Sequence, residues 1–193
     1  MSLAINILLI LLAYLLGSIS TAIITCRLMG LPDPRSQGSN NPGATNVLKI
    51  GGKKAAALTL LGDALKGLAP VLLGLYLGID ELYLSLVAFA AFIGHLYPLF
   101  FHFKGGKGVA TAFGVFIGLN WQVALAVLLT WLIIVKLFKL SSLGALLTAL
   151  IAPLYFYFLD GSLYFTSLSV ILSALLIYRH RSNIIKIIEG TED

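Results

Sequence analysis

The sequence has little of what a soluble or a metal-binding protein needs. Only 11% of its 193 residues are charged, against about 25% in soluble domains. The single cysteine, Cys26, excludes an intrachain disulfide and every metal site built from several thiolates. The histidines lack zinc-protease spacing. Neither a G-x-S-x-G elbow nor a histidine and an aspartate separated by four residues occurs. These absences favour chemistry that needs neither a metal nor a serine acyl-enzyme.

Long apolar stretches dominate what is present. With 59% hydrophobic residues, the chain is predicted to be an all-α integral membrane protein, with a single transmembrane domain over residues 1–193. The stretch Gly108–Leu137 is too long for one upright crossing, so we divide it at residues 118–122. The other predicted spans are Leu3–Thr25, Ala55–Gly78, Leu82–Phe101, Leu143–Leu159 and Leu163–Tyr178, which gives seven transmembrane helices.

Positive charge is concentrated on one side of the predicted helices. Strict alternation of the seven spans places twelve of the thirteen lysines and arginines on one side, and the opposite side receives none. Because cytoplasmic loops carry the excess of Lys and Arg, the N-terminus is predicted outside and the C-terminus in the cytoplasm. The net charge of +5 therefore indicates topology, and no nucleic-acid partner is expected.

Two polar clusters on the predicted cytoplasmic side have residues suited to binding phosphate. Residues 31–49 mix Gly, Ser, Asn and Thr between two cations, and residues 94–111 place glycines and lysines directly before a helix. Backbone N–H groups and the positive end of a helix can both face an anion. The candidate phosphate-binding residues are Arg35, Ser36, Asn41, Gly43, Thr45, Asn46, Lys104, Gly105, Gly106, Lys107, Gly108, Thr111 and Ser142. A turn-rich surface loop and a basic hinge at the lipid surface are the alternative interpretations.

Two ionisable residues, Asp63 and Lys66, interrupt the second predicted span. A separation of three residues places them on one helical face. Ionisable groups within a membrane are costly and are usually paired or functional. We favour structural support of the loops over direct catalysis, and the partner of each group is left open.

The motifs together resemble a known family. Residues 38–46, 94–111 and 179–184 are similar to the three motifs of the membrane-integral bacterial acyl-phosphate:glycerol-3-phosphate acyltransferases, and the resemblance covers essentially the whole chain. It implies transfer of a fatty acyl group from acyl phosphate to the sn-1 hydroxyl of glycerol 3-phosphate, giving lysophosphatidic acid for phospholipid synthesis. It also implies no cofactor or metal, no obligate protein partner, and an active site facing the cytoplasm in the bacterial inner membrane.

The resemblance implies roles for individual residues. Ser39, Lys49, His180 and Asn183 match catalytic residues, and Glu192 matches a structural glutamate. The segment Gly105–Gly108 matches a glycerol-3-phosphate-binding segment. Lys49 stands where the family usually has arginine, and lysine keeps the charge but not the two-pronged donor geometry. The general base stays open between His180 and a phosphate oxygen of a substrate.

A membrane carrier or flippase for a phosphorylated metabolite is the alternative function. It would also need basic cytoplasmic loops and charge within the membrane. The lack of internal repeats and of recognition residues on the predicted outer face weighs against it. A phosphotransferase acting on CDP-activated lipids would need paired aspartates and a divalent metal site, which the sequence does not contain.

Overall fold

The computed structural model describes residues 2–192, and α-helices make up most of this range. The helices are α1 (Leu3–Gly17), α2 (Thr21–Leu28), α3 (Ala44–Tyr76), α4 (Glu81–Leu96), α5 (Val109–Leu119), α6 (Trp121–Phe138), α7 (Ser141–Tyr155), α8 (Leu163–Arg179) and α9 (Arg181–Ile188). A 3₁₀ turn at Leu99–Phe101 follows α4, and a π turn at Phe156–Asp160 follows α7. Residues 2–192 contain no β-strand, which confirms the predicted all-α class.

The helices are long and apolar enough for a protein that crosses the membrane several times. Four segments qualify individually, namely Ala44–Tyr76, Glu81–Phe101, Trp121–Phe138 and Ser141–Asp160. Two bent pairs, α1 with α2 and α8 with α9, raise the number to six if each pair is one span. Helix α5 has only 11 residues, or about 16 Å at 1.5 Å per residue. The multi-pass architecture is therefore confirmed, while the count of seven spans stays a prediction.

The predicted division between α5 and α6 is confirmed at Asn120. Its side-chain oxygen accepts hydrogen bonds from the backbone N–H groups of Gln122 (2.9 Å) and Val123 (3.1 Å). This cap satisfies donors that the first turn of α6 would otherwise leave unpaired. The Asn120 amide also donates to Asp160 at 2.9 Å.

Two predicted helix boundaries were wrong. The first predicted span, Leu3–Thr25, is broken: α1 ends at Gly17, α2 begins at Thr21, and the two helices are bent by 42°. At this break the Ser18 hydroxyl donates to the carbonyl of Tyr14 at 2.8 Å, a side-chain bond that competes with the helical ladder. The second predicted span begins at Ala44 rather than at Ala55, because residues 44–51 are already helical before a kink at Gly52, where φ is +75°.

The chain divides after Gly118 into two compact units. In the first unit, small residues allow neighbouring helices to approach until their backbones touch. A Cβ on Gly17 would collide with the carbonyl of Ala91, and one on Gly114 would collide with the carbonyl of Ala64. Close approach at small residues is the usual packing device of membrane helices. It fixes α5, and with it the loop that precedes α5, against α3.

Changing Gly114 to alanine is expected to destabilise the protein although alanine is the better helix former. The gain in helix propensity is about 0.5–1 kcal/mol, whereas forcing a methyl group into a filled contact costs about 1–3 kcal/mol. Thermal unfolding in detergent should therefore occur at a lower temperature. The exposed Ile117→Val on the same helix is the control, and an unchanged or raised midpoint for Gly114→Ala would contradict this packing account.

In the second unit, α6 packs against α7 and α7 packs against α8. The hydroxyls of Thr130 and Tyr155 lie 2.7 Å apart, and the Trp131 indole N–H donates to the carbonyl of Ser141 at 3.3 Å. Gly144 lets α7 approach the side chains of Val135 and Trp131. These contacts hold the start of α7, where Ser142 lies, against the end of α6.

Candidate active site

The loop of residues 31–43, called the first loop below, is organised by the side chain of Asn46. Asn46 is only 2% exposed, and its amide oxygen accepts from the backbone N–H of Ser39 at 2.9 Å. Its amide nitrogen donates to the carbonyls of Pro34 (2.8 Å), Gln37 (3.0 Å) and Asn41 (3.1 Å). Asn46 is a predicted phosphate-binding residue, but its side-chain donors and acceptor are engaged in hydrogen bonds to the first loop.

Ser39 stands at the exposed tip of the first loop, between two residues in the left-handed region. Gly38 has φ +59° and Asn40 has φ +56°. A Cβ on Gly38 would collide with the amide oxygen of Asn46, so glycine is required there on two grounds. Lys49 follows Asn46 by about one helical turn and is also exposed. The structure therefore presents both predicted catalytic residues of this segment to the surroundings.

Arg35 connects the first loop to the second motif. Its guanidinium contacts Asp33 through both Nη2 (2.7 Å to Oδ2) and Nε (3.1 Å to Oδ1). Its Nη1 donates to the carbonyl of Phe101 at 3.4 Å. The Arg35 hydrogen bonds hold the pKa of the Asp33 carboxyl below its usual range, so the pair stays charged at neutral pH and is lost only as the pH falls through that lowered value.

The remaining candidates of the first loop and of α3 differ in exposure. Ser36 and Thr45 are exposed, whereas Asn41 and Gly43 are partly buried. The Ser36 hydroxyl donates to the carbonyl of Asp33 at 2.9 Å. Of this group, Thr45 and Ser36 are therefore the most open to a ligand.

The segment Lys104–Gly108, called the glycine loop, lies directly on the last turn of α4. The backbone N–H of Gly106 donates to the carbonyl of His95 at 3.2 Å. A Cβ on Gly105 would collide with that same carbonyl, and one on Gly108, where φ is +91°, would collide with the ring of Phe92. The close contact with α4 therefore requires glycine at these positions.

The glycine loop also lies beside the first loop. The Pro42 carbonyl oxygen is 3.1 Å from the place that a Cβ on Gly106 would occupy. Lys104 is exposed and Lys107 is partly buried, while α5 begins at Val109 with its N-terminal backbone donors next to the loop. Thr111 is fully buried, and its hydroxyl has no hydrogen-bond partner within residues 2–192. The first two motifs thus meet in one cationic region of the first unit.

A cluster of polar side chains, called the Asp63 cluster, is formed by Thr21, Asp63 and Lys66 and faces the ring of His95. Lys66 Nζ is 2.8 Å from Asp63 Oδ1, so these residues form the ion pair that the sequence left open. The Thr21 hydroxyl donates to the same oxygen at 2.5 Å, and Nδ1 of His95 lies 3.5 Å from it. Lys66 Nζ also donates to the carbonyl of Ile19 at 2.7 Å, at the break between α1 and α2.

The third motif lies in the second unit, at the bend between α8 and α9. The two helices meet at His180 with a bend of 59°. His180 is 3% exposed, and its Nδ1 is 2.8 Å from the carbonyl of Leu176. Because a carbonyl can only accept, Nδ1 carries the hydrogen in this bond and Nε2 of the neutral ring is the acceptor.

Asn183 is held by the C-terminal segment of the same unit. Its amide nitrogen donates to Glu192 Oε1 at 2.5 Å, which gives Glu192 a physical role as the residue that orients Asn183. Ser142 lies in the first turn of α7, and its buried hydroxyl has no hydrogen-bond partner in the described part of the chain.

His95, Thr21 and Asp33 are partners of candidate site residues that the sequence analysis did not select. His95 lies within the second motif but was assigned no role there, and Thr21 lies within an apolar run. The available signal was the rarity of polar side chains within predicted spans, which had already selected Asp63 and Lys66. Extending that criterion to neutral polar residues would have found Thr21 and His95.

Comparison with known proteins identifies the family. The family model described as glycerol-3-phosphate acyltransferase matches residues 7–190. The chain belongs to the glycerol-3-phosphate acyltransferase family. The family predicted from the three motifs is thereby confirmed, and the matched range includes all of them.

Curated glycerol-3-phosphate acyltransferases are similar over nearly their whole length. This acyltransferase is 56% identical to the one from Thioalkalivibrio sulfidiphilus (strain HL-EbGR7) over 180 residues, which cover 93% of this chain and 89% of the relative. It is 54% identical to the one from Methylococcus capsulatus (strain ATCC 33009 / NCIMB 11132 / Bath), with coverage of 93% and 91%.

Two solved structures are similar to this acyltransferase. One is the crystal structure of PlsY (YgiH), an integral membrane glycerol 3-phosphate acyltransferase, in its glycerol 3-phosphate form. Its TM-score is 0.93 at 40% identity, covering 97% of this chain and 94% of that one. The lysophosphatidic acid form of PlsY has a TM-score of 0.91 at 39% identity, with the same coverage.

Proposed function

We propose that this acyltransferase takes its acyl group from acyl phosphate and transfers it to the sn-1 hydroxyl of glycerol 3-phosphate. The products are lysophosphatidic acid and inorganic phosphate. Acylation of glycerol 3-phosphate in phospholipid synthesis follows from the family match over residues 7–190 and the curated relatives. The observation that carries the proposed site is the meeting of the first loop and the glycine loop at Pro42 and Gly106.

The glycine loop is suited to holding the phosphate of glycerol 3-phosphate. Three of its five residues are glycines, which have no side chains, and it lies next to the N-terminus of α5. Backbone N–H groups and the positive helix end favour an anion at such a place. Lys104 and Lys107 flank the glycines, and their charges complement a phosphate dianion.

Acyl phosphate suits this set of side chains because it is a mixed anhydride and is already activated. Direct attack by the sn-1 hydroxyl forms the new ester bond and breaks the bond between the acyl carbon and the phosphate oxygen. The protein then needs to align the two substrates and to stabilise the departing phosphate. The exposed Ser39 hydroxyl and the Lys49 ammonium are assigned to the developing negative charge.

The third motif supplies a candidate base for the attacking hydroxyl. Since Nδ1 of His180 donates to Leu176, Nε2 has the lone pair that a general base requires. The phosphate oxygen of a substrate is the competing base. Asn183, oriented by Glu192, is assigned to binding a substrate oxygen.

We also propose a seven-span topology, with the N-terminus outside and the active site facing the cytoplasm in the bacterial inner membrane. The six spans counted with both bent pairs, together with the short α5, make seven. The distribution of lysines and arginines supports this orientation. Because the family match includes residues of both compact units, we treat the chain as a single functional domain.

The donor is tested with the purified protein in detergent. Radiolabelled glycerol 3-phosphate is supplied with either acyl phosphate or acyl-CoA of the same chain length, and lipid products are separated and counted. Lysophosphatidic acid should form from acyl phosphate alone. The matched acceptor control is radiolabelled glycerol, which has a hydroxyl in place of the phosphate and so leaves the glycine loop no phosphate to hold.

Two results would contradict the proposal. Product that forms only with acyl-CoA would assign a different donor. No product with either donor, together with uptake of labelled glycerol 3-phosphate into liposomes containing the protein, would favour the carrier.

A further inference from the structure

His95 connects the glycine loop to the Asp63 cluster, and no step of the proposed reaction uses it. We propose that His95 is a positioning residue for the glycerol 3-phosphate site. Its ring, oriented by Asp63, supports Gly106 from the side away from the phosphate and so sets where the loop backbone meets that phosphate. This inference rests on the proposed function of the glycine loop.

The contact with the glycine loop uses both the backbone and the ring of His95. The backbone carbonyl of His95 accepts a hydrogen bond from the N–H of Gly106 at 3.2 Å. This bond fixes the distance between the glycine loop and α4. The ring fills the space beside Gly106, because a Cβ there would collide with Nε2 and would lie 2.9 Å from Cε1. Movement of the imidazole therefore moves the support of Gly106 directly.

The opposite edge of the ring faces a carboxylate that is itself fixed. Asp63 Oδ1 forms an ion pair with Lys66 Nζ at 2.8 Å and accepts a hydrogen bond from the Thr21 hydroxyl at 2.5 Å. The same oxygen lies 3.5 Å from His95 Nδ1. The three side chains come from α2, α3 and α4. Asp63 is thus held between two helices while it faces the ring on the third.

Burial makes this arrangement sensitive to small changes. Asp63 is 2% exposed, Lys66 8% and His95 6%. Polar interactions between buried groups are strong because the local dielectric is low, and such groups have few alternative partners. A change on the Asp63 side is therefore transmitted to the ring instead of being absorbed by water.

Two substitutions separate the two edges of the ring. In His95→Asn, the short amide can occupy the position of Nδ1 and face Asp63, but nothing replaces Nε2 beside Gly106. In His95→Gln, the longer amide can occupy the position of Nε2 and restore the support. The control is His102→Asn, which makes the same chemical change at an exposed residue near the loop, with a left-handed backbone (φ +57°) that asparagine accepts.

The deciding measurement is the separation of KM from kcat for each substrate. His95→Asn should raise the KM for glycerol 3-phosphate about tenfold or more, the effect expected when the displaced loop loses one hydrogen bond to the charged phosphate. Its KM for acyl phosphate and its kcat should stay within about threefold of wild type, since the loop contacts the acceptor. His95→Gln should recover most of the loss, and His102→Asn should match wild type.

A second route tests the same connection without changing His95. Thr21→Val keeps the side-chain shape but removes one donor to Asp63, and it should raise the KM for glycerol 3-phosphate by about two- to fivefold. If His95→Asn does not fold, the KM of Thr21→Val decides the question. A purely structural role would lower the melting temperature and the active fraction in these variants while leaving the KM unchanged, and that result would overturn the inference.

Binding of glycerol 3-phosphate without a donor separates this inference from the proposed function. Isothermal titration of the detergent-solubilised protein should show weaker binding to His95→Asn by the same factor as the change in KM. If wild type transfers no acyl group from acyl phosphate but binding is still weakened by His95→Asn, the donor assignment fails and the positioning role stands. Equal binding by wild type and His95→Asn overturns the positioning role alone.

Discussion

Replacement of Asn46 by aspartate is expected to abolish acyl transfer, although the side chain keeps its size and shape. In the wild-type protein the amide nitrogen of Asn46 donates to the carbonyls of Pro34, Gln37 and Asn41. A carboxylate would direct a buried negative charge at these three acceptors, and both donors would be lost. Burying an unpaired polar group costs several kcal/mol, so the first loop is expected to rearrange and move Ser39.

The expected loss for Asn46→Asp is about a thousandfold or more in kcat/KM, which corresponds to about 4 kcal/mol of transition-state stabilisation. Steady-state kinetics with acyl phosphate and glycerol 3-phosphate measure it, and thermal unfolding in detergent checks that the helices remain folded. Asn40→Gly is the matched control, because Asn40 lies in the same loop with φ +56° and glycine adopts that backbone readily. Near-normal turnover of Asn46→Asp would show that the first loop does not depend on this side chain.

Replacement of His180 by glutamine is expected to lower kcat by about 10²–10⁴, the usual contribution of a general base. The reason is the donation from Nδ1 to Leu176 at 2.8 Å, which leaves Nε2 as the basic atom. The rate should also lose its dependence on the ionisation of a histidine-like group. Measurement of kcat against pH for wild type and His180→Gln tests both expectations.

The exposed His102→Gln is the control for His180→Gln and should retain the wild-type profile. If His180→Gln lowers kcat but keeps the shape of the pH profile, the base is a substrate phosphate oxygen and His180 binds or orients instead. Turnover close to wild type with an unchanged profile would remove His180 from the mechanism altogether.

Much of the fold could be predicted because hydropathy and capping are local properties. The division at Asn120 was found from length and from a turn-like run of residues, and the cap that it forms depends on its nearest neighbours. The break at Ile19 could not be found in this way, since the stretch around it is apolar enough to continue. It persists because Lys66, 47 residues away, binds the carbonyl that the break exposes.

The candidate site was predictable in its residue types but not in their orientation. An asparagine in a polar loop can bind a phosphate or the backbone, and only the folded loop shows that Asn46 binds the backbone. The support of Gly106 by His95 joins residues from separate segments, so no local spacing encodes it. Glu192 was assigned a structural role by resemblance, and its hydrogen bond to Asn183 supplies a physical reason for that role.

The bond from Lys66 to the carbonyl of Ile19 has a consequence for the biogenesis of the protein. An unpaired carbonyl in hydrocarbon costs several kcal/mol, so α1 and α2 cannot settle stably in the bilayer while α3 is still being synthesised. Burial of the Asp63 and Lys66 side chains is also costly until the Thr21 hydroxyl can donate to Asp63 and the Ile19 carbonyl can accept from Lys66. The first three helices are therefore expected to leave the translocon and enter the lipid together, as one assembled unit.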